Sequence, residues 1–422
     1  MFQVLRNAWK IPDLRKRMLY TVLLLLVFRL GSYIPVPGMN AQALKNMIGD
    51  GNSLFGLLDT LTGGAFGNAT IFAMSITPYI NSSIIMQLLT VAIPSLERLA
   101  KEGEEGRKII AQYTRYGTVV LAFIQATGLF FGLRGAINNP NFASYVTITL
   151  TFTAGTAFLM WLGEQITEKG IGNGISLLIF AGIVARIPSM AYTLYQSVLN
   201  KQLNIFTLII LLIFGLAVIA VVVLMNEAER RIPVQYAKRI VGRKMYGGQS
   251  THIPIKVSMA GVIPIIFAMS IMAFPSTIAQ FFTQPQPGTF WYSFLEFISP
   301  RSWFYAVCYF LLIIFFTYFY TAIQFSPVEI ANNMKKNGGF IPGIRPGKPT
   351  SDYINRVLSR ITLAGAIFLA LIAVLPIFMN YTVKVNIGLG GTTLLIVVGV
   401  ALETVKQVES QMLMRHYKGF LE

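Results

Sequence analysis

The sequence predicts an all-α, multi-pass membrane protein of ten transmembrane helices, and three observations carry that prediction. Of its 422 residues, 54% are hydrophobic and only 12% are charged, with a mean hydropathy of +0.61. Soluble domains are about one-quarter charged, so half that share places the chain in the membrane class. Ten apolar segments approach or exceed the about 20 residues that a helix needs to cross a bilayer. The loops between them alternate between rich and poor in Lys and Arg.

In chain order the segments lie at about 18–34, 71–93, 116–133, 145–163, 175–195, 205–225, 257–282, 303–325, 361–379 and 387–402. The first follows Arg6, Lys10, Arg15, Lys16 and Arg17, the layout of a signal peptide. No small-x-small cleavage site follows, and further spans do, so it reads as an uncleaved first span behind a cytoplasmic segment, 1–17. Leu54–Gly67 (LFGLLDTLTGGAFG) is apolar but fourteen residues long. Runs of about 10–14 residues read as re-entrant or core segments. The span after it carries Pro78, Asn81 and Gln87, and a half-length helix beside such a span suggests a closed pathway through the membrane.

Of the 34 basic residues, 27 lie before span 1, between spans 2 and 3, 4 and 5, 6 and 7 or 8 and 9, or after span 10. The opposite loops hold Lys45, Arg134, Lys201, Arg301 and Lys384. Cytoplasmic loops carry the basic excess, so both termini are expected in the cytoplasm. Arg29 and Arg186 fall inside spans, towards the outer ends, and are expected to snorkel to the headgroups. No Asp, Glu, Lys or Arg sits at the middle of a span, where ion-coupled transporters and proton pumps need one.

Ten spans divide into halves of five, 18–198 and 199–409, followed by a cytoplasmic tail, 410–422. If the halves are structural repeats, their odd number of spans makes them inverted, with a pathway at their interface. Two cytoplasmic loops, about 226–256 and 326–360, are longer than a connection requires. In the first, Arg231–Lys244 partly alternates apolar with basic and Thr251–Val257 follows a Gly pair, the pattern of a projecting hairpin. In the second, Lys335–Lys348 (KKNGGFIPGIRPGK) is rich in Gly and Pro and reads as a constrained turn structure. Their basic clusters suit RNA phosphates or an acidic protein surface.

Nothing points to catalysis. Gly170–Gly174 (GIGNG) enters a span and follows no Rossmann strand, so it reads as a flexible loop at a helix start. One cysteine, Cys308, and two histidines, His252 and His416, leave no internal disulfide and no metal cluster. No cofactor or metal is expected, and energy must come from a partner or a gradient. Ile76 and Ile80, four apart beside Pro78, share a helix face, and Ile175 and Ile179 repeat that spacing after GIGNG. Ile266 follows Pro264, and Ile396 follows the Gly-rich start of span 10. Isoleucine is stiff and bulky at Cβ, which suits a constriction that bars ions by dewetting. Isoleucine is common in every span, so spacing alone does not group these six.

The runs FRLGSYIPVPG (28–38), PYINSSIIMQLLTV (78–91), KEGEEGRKIIAQYTRYGT (101–118), MWLGEQITEKGIGNGIS (160–176), QSTHIPIKVSMAGVIP (249–264), PGIRPG (342–347) and GGTTLLIVV (390–398) resemble the SecY family nearly end to end. That family supplies the central subunit of the bacterial protein-conducting channel. The resemblance implies ten spans in two inverted five-helix halves around a central pore in the plasma membrane. It implies a pore ring of Ile76, Ile80, Ile175, Ile179, Ile266 and Ile396, and a plug over about 54–67 with Leu54, Phe55, Leu57, Leu58, Leu61 and Phe66. Spans 2 and 3 against 7 and 8 would form a lateral gate to lipid, with Gln87 and Thr90 on it. Arg239, Arg243, Lys244, Lys335, Lys336, Arg345 and Lys348 on the long loops would dock the ribosome, through rRNA and protein at its exit site, or the motor ATPase SecA. Small membrane subunits similar to SecE and SecG are expected, with a secretory or membrane polypeptide as cargo and lipid at the gate. Residues 284–302 match least and carry no expectation. The alternative from another class is a small-solute secondary transporter of inverted repeats, which the missing midplane charge argues against.

Overall fold

The computed structural model describes residues 2–48, 59, 62–200, 204–236, 239–241, 244–246, 250–279, 297, 302–383 and 391–418. The helices are α1 (Phe2–Lys10), α2 (Pro12–Gly31), α3 (Ala41–Ile48), α4 (Thr77–Ala92), α5 (Pro94–Lys101), α6 (Glu104–Gly132), α7 (Phe142–Lys169), α8 (Gly174–Leu199) and α9 (Ile205–Glu227). After strands β1 (Glu229–Tyr236), β2 (Arg239–Val241), β3 (Lys244–Tyr246) and β4 (Ser250–Lys256) come α10 (Ile263–Ala279), α11 (Trp303–Gln324) and α12 (Pro327–Lys336). Strand β5 (Gly339–Phe340), α13 (Lys348–Val383) and α14 (Gly391–Lys418) complete the order.

A helix covers most of each of the ten apolar segments, except that the second and seventh are shorter than expected. By length and hydropathy alone, Phe142–Lys169, Gly174–Leu199, Ile205–Glu227, Trp303–Lys336 and Lys348–Leu375 qualify to cross a membrane. Helices α4 and α5 make a sixth if read as one span bent by 100° at its break. Pro94 opens α5 at that bend, where its missing N–H removes nothing from the new helix.

The second span departs from expectation at its start. Residues 62–69 and 71–76 are wound as turns, and helix begins only at Thr77. Ala69 and Ser75 adopt φ of 50° and 52°, a left-handed conformation that a continuous right-handed helix excludes. Pro78 then sits in the first turn of α4, where proline is favoured. Helices α6 and α13 start earlier than their apolar segments, at Glu104 and Lys348, and α14 runs to Lys418, past the boundary at 409. Hydropathy marks only the apolar part of a helix that continues into water.

The two long loops fold as one unit. Strand β1 pairs antiparallel with β4, Ile232 opposite Ile253, and on its other edge with β5, Tyr236 opposite Gly339. Along β1 only Ile232 and Val234 are buried, the period-two pattern of a half-buried strand. They share a core with Ile255, Met334, Ile341, Ile354 and Leu358, so residues from both loops and the start of α13 bury each other. Strands β2 and β3 pair antiparallel with each other, Arg239 opposite Tyr246.

Within the helical body α2 packs on α7 and α8, α4 on α6 and α10, α11 on α13, and α14 on α8, α9 and α1. The halves therefore meet along α4–α10 and α8–α14.

Candidate functional site

The helix starts set the site. Asn173 caps α8, its Oδ1 accepting from Ile175 N at 3.1 Å and Ser176 N at 3.3 Å. Gly174 N donates to Thr167 Oγ1 at 2.9 Å, and Ile171 N to Thr21 Oγ1 at 3.0 Å. The GIGNG turn is thus tied to both α2 and α7. Gly163 of α7 makes room for it: a Cβ there would stand 2.5 Å from Ile175 Cδ1. On α4, Ile76 caps the helix and its carbonyl accepts from Ile80 N at 3.0 Å.

Ile76, Ile179 and Ile396 are 1%, 7% and 1% exposed and belong to one apolar cluster with Leu24, Phe28, Phe72, Leu159, Val262 and Ala65. Ile80, Ile175 and Ile266 pack against the same cluster and are half-buried. The structure therefore brings together all six isoleucines, from the opening turns of α4, α8, α10 and α14. Two of those helices lie in each half of the chain.

Ile80, Ile175, Ile179 and Ile266 also line a cavity of about 500 Å³. Its remaining walls are mixed: Ser83, Gln87, Arg115, Glu164, Thr167, Glu168 and Asn173 supply polar groups, while Ala111, Ile263 and Phe267 are apolar. Arg115 Nε donates to Glu164 Oε1 at 2.8 Å, joining α6 to α7 beside it. Gln87 donates from Nε2 to Ser83 Oγ at 3.4 Å, while its Oε1 is buried without a hydrogen-bond partner in the protein. Thr90 turns its hydroxyl onto Met86 O at 2.7 Å. Near these residues Ile80, Ile84 and Leu88 join a cluster with Ile265, Phe267 and Ala268 of α10, which closes the α4–α10 seam with apolar contacts.

Of the plug candidates, Leu54, Phe55, Leu57, Leu58 and Leu61 lie outside the described residues. Phe66 is 1% exposed, and its N donates to Thr62 Oγ1 at 3.2 Å. The expectation for the two arginines is corrected. Arg186 Nη1 pairs with Asp59 Oδ2 at 2.8 Å, and Arg29 Nη1 donates to Gly63 O at 3.3 Å. Both reach described residues of the 54–67 segment, whose part at 62–67 is wound as turns and not as the expected half-length helix, instead of snorkelling away from it. An acid inside an apolar half-helix and two arginines inside spans were the signal for this arrangement.

On the loops, Lys335 and Lys336 end α12 and are exposed, as are Arg345 and Lys348. Arg345 stands between Gly343 and Gly347, which take φ of 81° and 105°, values that glycine adopts without cost. Its carbonyl accepts from Thr350 Oγ1 at 2.8 Å, which fixes the turn from behind. Arg239 lies in β2 and Lys244 in β3, while Arg243 falls outside the described residues. Among the described residues no group of His, Cys, Asp and Glu could hold a metal ion.

A helical bundle of apolar helices, whose two halves pack together around an isoleucine-rich cluster bordering a cavity of mixed lining, belongs to the class of polytopic membrane proteins. The chain belongs to the SecY family: a model of that family matches residues 70–405. Protein translocase subunit SecY of Halalkalibacterium halodurans is 50% identical over 435 residues, covering 100% of both chains. A solved SecY structure, described for a plug domain that stabilises the closed state and maintains a membrane seal, superposes with a TM-score of 0.68 at 19% identity over 96% of each chain. Sec61 in the canine ribosome–channel complex from the endoplasmic reticulum gives 0.63 at 18% identity, again over 96% of each chain. At those identities the solved structures establish the fold. Family membership makes the chain a multi-pass protein of the plasma membrane and a channel subunit, not an enzyme.

Proposed function

We propose that the chain conducts unfolded secretory polypeptides across the bacterial plasma membrane and releases apolar segments sideways into lipid. The observation that carries this reading is the meeting of six isoleucines, drawn from both halves, in one cluster beside a cavity that four of them line together with Ser83, Gln87, Arg115, Glu164 and Glu168. An apolar ring makes no sequence-specific polar contact, so it fits around many chains and bars ions by dewetting when empty. The polar side chains that share the cavity with the isoleucines receive a hydrated chain. Apolar signals leave through the α4–α10 seam, favoured by about 0.8 kcal/mol per buried CH₂. Gln87 and Thr90 on α4 belong to this lateral gate, and residues 54–67 are the plug that closes the neck from the other side.

Both termini are cytoplasmic, since the basic excess lies on that side. The two halves act as inverted five-helix repeats. The joined loop unit, with Arg345 exposed on its glycine-bounded turn and Lys335, Lys336 and Lys348 nearby in sequence, docks the motor ATPase SecA or the ribosome. Small subunits similar to SecE and SecG complete the complex.

Proteoliposomes carrying the complex, with the motor and ATP, are expected to move a secretory precursor into a protease-protected state. Gradient-driven uptake of a small solute without partners, and no precursor movement with them, would overturn the reading in favour of a secondary transporter.

A further inference from the structure

Asp59 ties together the turns at 62–67. Its Oδ1 accepts from Gly67 N at 2.7 Å, and its carbonyl accepts from Gly64 N at 2.9 Å and Thr62 Oγ1 at 3.1 Å. Its Oδ2 pairs with Arg186 of α8 at 2.8 Å, the two side chains 13% and 27% exposed. Arg29 of α2 grips the same turn through Gly63 O and is itself held by Tyr33, to whose hydroxyl its Nη2 donates at 2.8 Å. Gly63, at φ 68°, lies so close to α8 that a Cβ would stand 2.6 Å from Gly182 O.

Arg29, Arg186 and Gly182 all belong to the N-terminal half. None of these contacts crosses the α4–α10 seam. The carboxylate and the guanidinium, both mostly buried, satisfy each other, and parting them takes from Asp59 its charged partner. Parting the halves along the seam leaves this pair whole.

We propose that the Arg186–Asp59 ion pair, braced by Arg29, is the latch that holds the plug to the N-terminal half, so that plug release is a step separate from opening the seam. This rests on residues 54–67 being the plug. The seam can open for an apolar segment with the latch closed, whereas passage of a hydrated chain requires the latch to break.

Resting ion conductance of the reconstituted complex in planar bilayers tests this, using Asp59→Asn, Arg186→Gln, their double variant, Arg186→Lys, and deletion of 54–67. Each neutral single variant is expected to raise resting conductance at least about tenfold, equivalent to about 1.4 kcal/mol. The double variant should leak no more than either single, since one interaction is lost only once. Arg186→Lys, which keeps the charge, should stay nearest to the parent. If deletion leaks but the neutral singles do not, or if the two single effects multiply, the latch is overturned while the plug reading stands. If neither deletion nor the singles leak, both fall.

Discussion

Ile396→Ala takes three carbons from a side chain that is 1% exposed, at the place where α14 of one half meets α8 of the other. At about 0.8 kcal/mol per carbon the lost burial is about 2.4 kcal/mol, and an unrelaxed cavity brings the cost towards the 2–5 kcal/mol range typical of Ile→Ala in a core, roughly. Part of that loss weakens the closed neck itself. If half of it falls on the closed state alone, the leaking fraction rises roughly tenfold. Ile266→Ala makes the contrast, because Ile266 is half-buried and lines the cavity; it should cost little stability yet widen the neck. Both are measured as resting conductance in planar bilayers, with Tm of the purified complex as the stability control. Conductance unchanged by both variants, in protein that remains assembled, would show that these isoleucines are ordinary core and not a seal.

Arg345→Glu should weaken motor- or ribosome-driven translocation with the Tm unchanged, because the side chain is exposed and the turn is held by Thr350 and two glycines; normal translocation by the folded variant would remove Arg345 from docking. Gly163→Ala places a methyl against Ile175 Cδ1 and should push that side chain into the cavity, slowing translocation while Tm falls by a few degrees, about 1–3 kcal/mol of overpacking; an unaltered translocation rate would mean Ile175 is clear of the path. Gln87→Leu removes a buried acceptor that lacks a protein partner, at a saving of about 1–3 kcal/mol to the closed seam. Membrane insertion of marginally apolar segments should then fall, and an unchanged insertion threshold would place Gln87 off the gate.

How much of this was legible in the sequence depends on how local each signal is. The apolar helices could be read because apolar runs and basic loops are local properties of composition. The β1–β4 hairpin showed itself by alternation around a Gly pair. The third strand did not: β5 is two residues, Gly339 and Phe340, inside a Gly/Pro-rich turn, and its pairing with β1 is distant in sequence. The start of α4 was misplaced because Ile71–Ile76 is as apolar as a helix but bounded by left-handed Ala69 and Ser75. Isoleucine spacing could not group six positions on four helices, since isoleucine is common throughout; only packing brings them together. Arg186 looked like a snorkelling charge because its partner, Asp59, lies 127 residues away.

The central claim is that a polypeptide passes through the isoleucine neck. Cysteines placed at Ile80 and Ile179, one on α4 and one on α8, should cross-link to a secretory chain stalled in transit, while a cysteine at Leu216 of α9, 67% exposed and outside the isoleucine cluster, should not. Cross-linking at Leu216 with none at Ile80 and Ile179 would contradict the account.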